Sequence, residues 1–247
     1  MSQRDGNSPF DWDNWPDILP DGDHGGPGEE ETREVPSARF EEQALRRDAE
    51  IGNVTAQSEL GLNLLWGENG FTKNPEEAVK WLSAAAERGN AEAQTGYGYC
   101  LQRGVGCKKD VKKGVRMFRA AARQGEPNAL NALGFCLQQG IGCKKNLTKG
   151  IRLFRAAAKQ GNASGQNNLG YCLRLGIGCK RNPQKAVRWV RKAAKQGNSN
   201  AQFNLAFCLE GGIGCPRDIG KALFWYRKAA EQGHKDAQEA LRELENN

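Results

Sequence analysis

A 36-residue period runs through most of this 247-residue chain. The stretch 126–161, EPNALNALGFCLQQGIGCKKNLTKGIRLFRAAAKQG, nearly matches itself when it is moved by one period in either direction. Its AAxQG ending recurs at Gly125, Gly161, Gly197 and Gly233. A fixed period of this length is typical of a stacked-repeat solenoid, in which each repeat packs against its neighbours. The period therefore predicts a row of repeats rather than one globular core.

Each repeat carries the start and stop signals of two helices. In the repeat 126–161 we expect a first helix from about 127 to 139, ended by Gly140, and a second helix that begins after Asn146. Gly161 suits the left-handed residue that follows a helix end. Residues that favour helix N-caps recur at the positions equivalent to Asn146: Asn74, Asp110, Asn182 and Asp218. These signals predict an all-α chain of helical hairpins.

The period also divides the chain into segments. Residues 1–35 are rich in Pro, Gly and acidic residues without helical or strand periodicity, which predicts a disordered acidic tail. A capping helix is expected at 36–52, with Ser37 as its N-cap. Five repeats follow at 53–89, 90–125, 126–161, 162–197 and 198–233, the first one residue longer in its loop, and a polar capping helix is expected at 234–247.

The net charge of +7 hides a strong asymmetry along the chain. Residues 1–52 contain 5 basic and 14 acidic side chains, whereas the remainder contains 31 basic and 15 acidic ones. The tail also holds FDWDNWPDIL, where Phe10, Trp12 and Trp15 alternate with acids, a pattern that indicates a short binding motif. One hypothesis is that the tail folds back on the basic repeats, in which case deleting residues 1–35 should tighten the binding of an acidic ligand.

Cations recur at equivalent repeat positions, so stacking turns them into rows on the surface. Residues 90–197 contain 22 basic side chains against Glu92, Asp110 and Glu126. So many uncompensated charges repel one another, which favours an anionic partner: an acidic protein, RNA or DNA, or a membrane surface. We call the recurring cations the basic ladders: Lys108, Lys109, Lys144, Lys145, Lys180, Arg181; Arg116, Arg152, Arg188; and Arg119, Arg155, Arg191.

The repeat pattern A-x-x-x-(L/Y)-G-x-x-L-x-x-G-x-G-x-x-(K/R)-(D/N), closed by A-A-x-Q-G, resembles the Sel1-like repeat, a branch of the tetratricopeptide-like solenoids. The resemblance covers about 195 residues. It implies a right-handed superhelix of helical hairpins whose first helices line a concave face, and an adaptor that holds other proteins together.

The same resemblance places an amide or hydroxyl and an aromatic residue from each repeat on the concave face. These side chains could clamp a peptide backbone, stack nucleobases beside Arg103 and Arg174, or merely pack neighbouring helices. The pairs, each four residues apart on one helix, are Thr95 with Tyr99, Asn131 with Phe135, Asn167 with Tyr171, and Phe203 with Phe207.

All eight cysteines occupy two repeat positions, seven residues apart, and the first repeat lacks both. The first interpretation is that they are buried free thiols, which behave as small hydrophobic groups. The second interpretation is a disulfide in each hairpin, Cys100–Cys107, Cys136–Cys143, Cys172–Cys179 and Cys208–Cys215. Some secreted members of the family that the repeats resemble have disulfides at other positions, where this chain has alanines such as Ala121 and Ala129. The third interpretation is zinc binding, although each hairpin supplies only two of the four ligands that a zinc site needs.

No catalytic constellation stands out in the sequence. It has two histidines, no HExxH motif and no GxxxxGK[ST] phosphate loop, so we expect no enzyme, cofactor or metal. Without a signal peptide or a long apolar run, a cytoplasmic or nuclear monomer is expected. The predicted function is a scaffold that binds a partner segment on its concave face. The alternatives are a solenoid that binds RNA or DNA and a disulfide-stapled extracytoplasmic protein.

Overall fold

The computed structural model describes residues 36–245, so the predicted tail motif lies outside the described residues. Between these bounds the chain forms twelve α-helices and no strand, which confirms the predicted all-α class. The helices are α1 (Pro36–Glu50), α2 (Val54–Trp66), α3 (Pro75–Glu87), α4 (Ala91–Arg103), α5 (Val111–Arg123), α6 (Pro127–Gln139), α7 (Leu147–Lys159), α8 (Ala163–Leu175), α9 (Pro183–Lys195), α10 (Ser199–Gly211), α11 (Ile219–Glu231) and α12 (Lys235–Glu245).

The predicted helix boundaries follow from local capping chemistry. In α5 the side chain of Asp110 accepts a hydrogen bond from the backbone N–H of Lys113 at 2.8 Å, which satisfies one of the free donors at the helix start. The first helix of the same hairpin ends at Gly104, which has φ = 78° and donates its N–H to the carbonyl of Cys100. The other predicted N-caps, Asn74, Asn146, Asn182 and Asp218, form the same bond.

One predicted boundary is wrong. Helix α1 begins at Pro36, so Ser37 lies inside its first turn and is not the N-cap. Proline suits the first helical position because its missing N–H would have no partner there. Proline also occupies the first helical position of α3, at Pro75, and of α9, at Pro183.

The described chain divides after Lys145 into two compact units. The N-terminal unit contains α1–α6, and its core includes Leu60, Leu64 and Leu82, each at most 2% exposed. Helices α4 and α5 approach closely because their contact lies at a glycine. A Cβ atom at Gly98 would lie 2.8 Å from Cε1 of Phe118, so only a residue without a side chain fits there.

Glutamines connect consecutive hairpins of the N-terminal unit. Gln94 is buried and donates to the carbonyl oxygen of Ala86 at 3.2 Å, near the end of the preceding helix. Gln124, from the AAxQG ending, donates to Oε1 of Gln94 at 3.1 Å and to the carbonyl oxygen of Gly89 at 2.9 Å. These bonds give an additional donor to the carbonyl of Ala86 at the end of α3 and a donor to that of Gly89 just beyond it, which is a structural role for the glutamine at both positions.

The C-terminal unit contains α7–α12 and repeats the same construction. Gln196 donates to Oε1 of Gln166 at 2.8 Å, and Gln232 donates to Oε1 of Gln202 at 2.7 Å. The core is formed by the buried side chains Val187, Val190, Leu205, Leu209 and Tyr226, together with small alanines. Among the residues that the structure describes, no helix is both long and apolar enough to cross a membrane.

Candidate partner-binding site

The first helices of the C-terminal unit bring an arginine between two aromatic rings. The guanidinium carbon of Arg174 lies 5.4 Å from the ring centroid of Tyr171 and 5.1 Å from that of Phe207. Arg174 follows Tyr171 by three residues on α8, and Phe207 occupies the equivalent of the Tyr171 position one repeat later, on α10. Burial raises the pKa of Tyr171, and the positive charge of Arg174 opposes that rise. All three side chains are half-buried, so the cluster reaches the surface.

Phe203 forms a second aromatic contact in this unit. Its ring stacks on His234, with centroids 4.7 Å apart and an interplanar angle of 16°, and it lies 5.6 Å from the ring of Tyr226. His234 comes directly before α12, so this contact ties α10 to the last helix of the chain. One face of the Phe203 ring is therefore already occupied within the protein.

In the N-terminal unit a different cluster contains Tyr99, Arg103 and Trp66, since Arg103 follows Tyr99 by four residues whereas Arg174 follows Tyr171 by three. The rings of Tyr99 and Trp66 lie 5.0 Å apart and are tilted by 49°. Burial raises the pKa of Tyr99, and Arg103 opposes the rise through its charge and a hydrogen bond. Trp66 was absent from the predicted site. The loop that follows Trp66 is one residue longer than in the other repeats, so a fixed 36-residue shift does not pair Trp66 with Arg103. Aligning the helices rather than the loops shows that the two residues are equivalent.

Four other predicted site residues are buried. Asn131, Phe135, Thr95 and Asn167 have exposed fractions of 0%, 1%, 4% and 4%. The hydroxyl of Thr95 lies 2.9 Å from the carboxylate of Glu126, the N-cap of α6, one hairpin further along.

Asn167 is held in the same way, since its Oδ1 accepts a hydrogen bond from Nδ2 of Asn204 at 2.9 Å. Both contacts join successive first helices of one unit, as buried polar groups require. The structure thus brings together Tyr99 with Arg103, and Tyr171 with Arg174 and Phe207, but it does not place the amides at the surface.

The basic ladders lie on other elements than these clusters. Their members occupy the loops before the second helices, or α5, α7 and α9, and every one of the twelve side chains is exposed. Among the described residues the ion pairs lie elsewhere, at Arg46, Lys221 and Lys228, so no ladder side chain pairs with a described carboxylate. Lys108 and Lys109 also line an open depression beside the start of α5.

All eight cysteines are free thiols. Their first members, Cys100, Cys136, Cys172 and Cys208, are at most 1% exposed, whereas the loop members are half-buried. Burial raises the pKa of Cys100, Cys136 and Cys172 to about 12 and that of Cys208 to about 11. Between residues 36 and 245 no group of three His, Cys, Asp or Glu side chains could hold a metal ion.

Comparison with known proteins identifies the repeat. The Sel1 repeat model matches residues 54–90, 91–126, 127–162, 163–198 and 199–234, one residue beyond the predicted starts. A Sel1 repeat protein from Oxalobacter formigenes is 32% identical, with a TM-score of 0.72 over 83% of this chain and 82% of that one.

Two further solved structures share the fold. The protective antigen c5321 of uropathogenic Escherichia coli strains, which displays an SLR fold, is 33% identical, with a TM-score of 0.66 over 81% of this chain and 42% of that one. A putative Sel1 repeat protein from Klebsiella pneumoniae is 17% identical, with a TM-score of 0.57 over 83% of this chain and 99% of that one. The five matched repeats cover most of the sequence, and the chain belongs to the Sel1 repeat family.

Proposed function

We propose that this protein is a non-enzymatic scaffold that holds an acidic, extended segment of a partner protein. Sel1 repeat proteins are generally protein–protein interaction scaffolds of a non-catalytic type, which supports this class of function. The choice of partner rests on one observation: all twelve basic-ladder side chains are exposed, and none pairs with a described carboxylate. A surface of one charge sign raises the local concentration of oppositely charged ligands and their association rate.

The arginine–aromatic clusters supply the specific contacts in this proposal. A guanidinium can donate two parallel hydrogen bonds to one carboxylate, and contact with aromatic rings restricts its orientation beforehand. Arg174 meets this condition, because the rings of Tyr171 and Phe207 lie on it. We therefore assign a carboxylate of the partner to Arg174, and long-range attraction to the basic ladders.

The aromatic contacts favour a protein partner over a single-stranded nucleic acid. Base stacking needs ring faces that are open to the ligand. Tyr171 and Phe207 share Arg174, Phe203 stacks on His234, and Tyr99 lies against Trp66. We therefore favour a protein partner, and the experiment below also measures RNA binding as the alternative.

The test measures fluorescence anisotropy of a labelled glutamate-rich peptide with the full chain across a salt series. The variant K108Q/K109Q/K144Q/K145Q removes four exposed charges of the N-terminal unit and should weaken binding about tenfold at low salt, because it removes the steering field. Arg174→Gln should weaken it by a similar factor and with less dependence on salt, since a bidentate contact is lost.

The matched control removes four exposed charges that stand at none of the ladder positions and outside the clusters, in the variant R47Q/K221Q/K235Q/R242Q. Net charge changes equally, so a loss of affinity as large as that of the ladder variant would refute a localised site. A labelled oligouridine is measured in parallel. If it binds more tightly than the peptide, with a steep salt dependence, the protein-partner proposal is wrong and the nucleic-acid alternative replaces it.

A further inference from the structure

Four hairpins carry a matched pair of thiols, one inside the protein and one near its surface. The inner cysteine lies on the first helix and the outer one in the loop that follows, seven residues later. In the hairpin α8–α9, Cys172 is 1% exposed and Cys179 is half-buried. Both positions hold cysteine in these hairpins and neither does in the first, so the two thiols occur only together.

In the hairpin α8–α9 the loop folds back so that the outer thiol lies against the backbone of its inner partner. The carbonyl oxygen of Cys172 accepts hydrogen bonds from the N–H groups of Gly176 and Ile177 at 2.8 and 3.0 Å, which closes the loop around it. Sγ of Cys179 then lies 3.7 Å from that oxygen. The next hairpin repeats this geometry, with Sγ of Cys215 3.6 Å from the carbonyl oxygen of Cys208.

In the N-terminal unit the outer thiol of each pair raises the pKa of the inner one. Burial is the main cause of the raised pKa of Cys100, and a further rise comes from Cys107. Cys136 is raised in the same way by burial and then by Cys143. In all four hairpins the outer thiol thus contributes to the raised pKa of the inner thiol, and at Cys208 the charge of Arg174 acts against the rise.

A cation stands beside each outer thiol. Burial raises the pKa of Cys143, and Arg119 of the preceding hairpin opposes that rise. Arg155 has the same effect on Cys179, and Arg191 has it on Cys215. The pKa of each outer thiol still lies above its ordinary value, so its partial exposure, rather than its acidity, makes it the accessible partner for thiol exchange. The Arg119, Arg155 and Arg191 row of the basic ladders therefore also borders a row of thiols.

We propose that each pair is a thiol–disulfide exchange site that forms an intra-hairpin bridge: Cys100–Cys107, Cys136–Cys143, Cys172–Cys179 and Cys208–Cys215. The co-reactant is a low-molecular-weight disulfide such as glutathione disulfide, and the inference does not depend on the proposed partner. The outer thiolate attacks one sulfur of the disulfide, and one glutathione leaves as thiolate and takes up the proton that the outer thiol released.

The inner cysteine completes the bridge. Its thiolate attacks the outer sulfur of the mixed disulfide, the second glutathione leaves and takes up the inner proton, and the pair is oxidised by two electrons as the glutathione disulfide is reduced to two thiols. This second step is the slow one, because burial leaves little of the inner cysteine as thiolate.

The experiment equilibrates the full folded chain with mixtures of reduced and oxidised glutathione, stops exchange with acid, alkylates the free thiols and analyses the protein by mass spectrometry. As the mixture becomes oxidising, alkylated thiols should disappear in twos. Tryptic mapping should show the loss of two hydrogens within the peptide that contains Cys136 and Cys143. The pair Cys172–Cys179 should instead appear as two peptides joined across the cut at Arg174.

Two single variants separate the roles of the thiols. Cys136→Ser should leave Cys143 carrying a glutathione adduct, whereas Cys143→Ser should leave Cys136 unmodified, because only the outer thiol is accessible. Wild-type protein that keeps eight alkylatable thiols in every mixture would overturn the proposal. So would glutathione adducts without bridges, or bridges that join different hairpins. The wild-type result decides the matter even if a variant does not fold.

Discussion

The hairpins α2–α3 and α4–α5 of the N-terminal unit share one backbone plan but differ at the cysteine positions. Both consist of 13-residue helices, and both first helices end at a glycine of positive φ. In the first hairpin Asn63 and Phe71 stand where the second has Cys100 and Cys107. Phe71 is 7% exposed, and Asn63 accepts a hydrogen bond from Asn69 at 3.0 Å. The hairpin therefore closes without sulfur, which shows that the fold does not require the cysteine pair.

The second helices of these two hairpins, α3 and α5, also differ, in their charge. Helix α3 contains three glutamates and one lysine, whereas α5 contains two lysines, three arginines and no acid. Both helices nevertheless begin after an N-cap whose side chain accepts a backbone hydrogen bond, and both bury one apolar face. The basic ladders are thus an addition to the repeat rather than a condition for folding it, which is consistent with a role in binding.

The largest expected effect tests whether the two hairpins rely on equivalent core contacts. Leu82 of α3 and Phe118 of α5 occupy the same repeat position, are at most 1% exposed and pack on Gly61 and Gly98. Phe118→Ala should lower the free energy of unfolding by about 3–5 kcal/mol and Leu82→Ala by about 2–5 kcal/mol, because each leaves a cavity. Urea unfolding followed by circular dichroism measures both.

The exposed Arg116→Ala in α5 is the control and should change stability by less than about 0.5 kcal/mol. A loss below about 1 kcal/mol for either core variant would show that its hairpin does not depend on this contact.

Much of this plan could be predicted because it depends on short-range chemistry. Asp110 caps the start of α5 and Gly104 ends α4 through hydrogen bonds to residues three or four positions away. The repeat period and these capping residues were therefore enough to predict the hairpins. The surface of the first helices could not be predicted in this way. Whether Asn167 faces a ligand or Asn204 depends on the neighbouring hairpin, and the position of Arg174 depends on rings from two helices.

A smaller effect tests the difference in charge between α3 and α5, because removing cations should change stability in opposite directions in the two helices. Arg116 and Arg119 belong to a row of like charges three and four residues apart on α5, so R116Q/R119Q should raise stability by about 0.2–0.5 kcal/mol per repulsive pair removed. Lys80 of α3 occupies the position equivalent to Arg116 but follows Glu76 by four residues. Lys80→Gln should therefore lower stability by a similar amount.

Thermal unfolding at low and high salt measures both charge variants. The two changes should shrink together as salt screens the exposed charges. If R116Q/R119Q destabilises the protein at low salt, the row of cations on α5 is not repulsive. Its presence in the repeat would then need no binding role to explain it.

The smallest effect concerns an ion pair that the first hairpin has and the second lacks. Arg46 of α1 donates to Oε1 of Glu77 on α3 at 2.5 Å, and Nε1 of Trp81 donates to the same oxygen at 3.3 Å. Burial raises the pKa of Glu77, but the hydrogen bonds from Arg46 and Trp81 outweigh it, so the pKa lies below its ordinary value of 4.5.

In the unfolded chain Glu77 takes up its proton at a higher pH than in the folded one. The ion pair therefore contributes its full stability above pH 4.5, and this contribution is lost as the pH falls through the lower folded pKa. Glu77→Gln should cost less than about 1 kcal/mol near neutral pH, because the pair is partly exposed and solvent screens it. The difference from wild type in urea unfolding should vanish in acid. A difference that stays constant down to acid pH would mean that Glu77 acts through packing rather than charge, and that the capping helix is joined to the first repeat without the help of an ion pair.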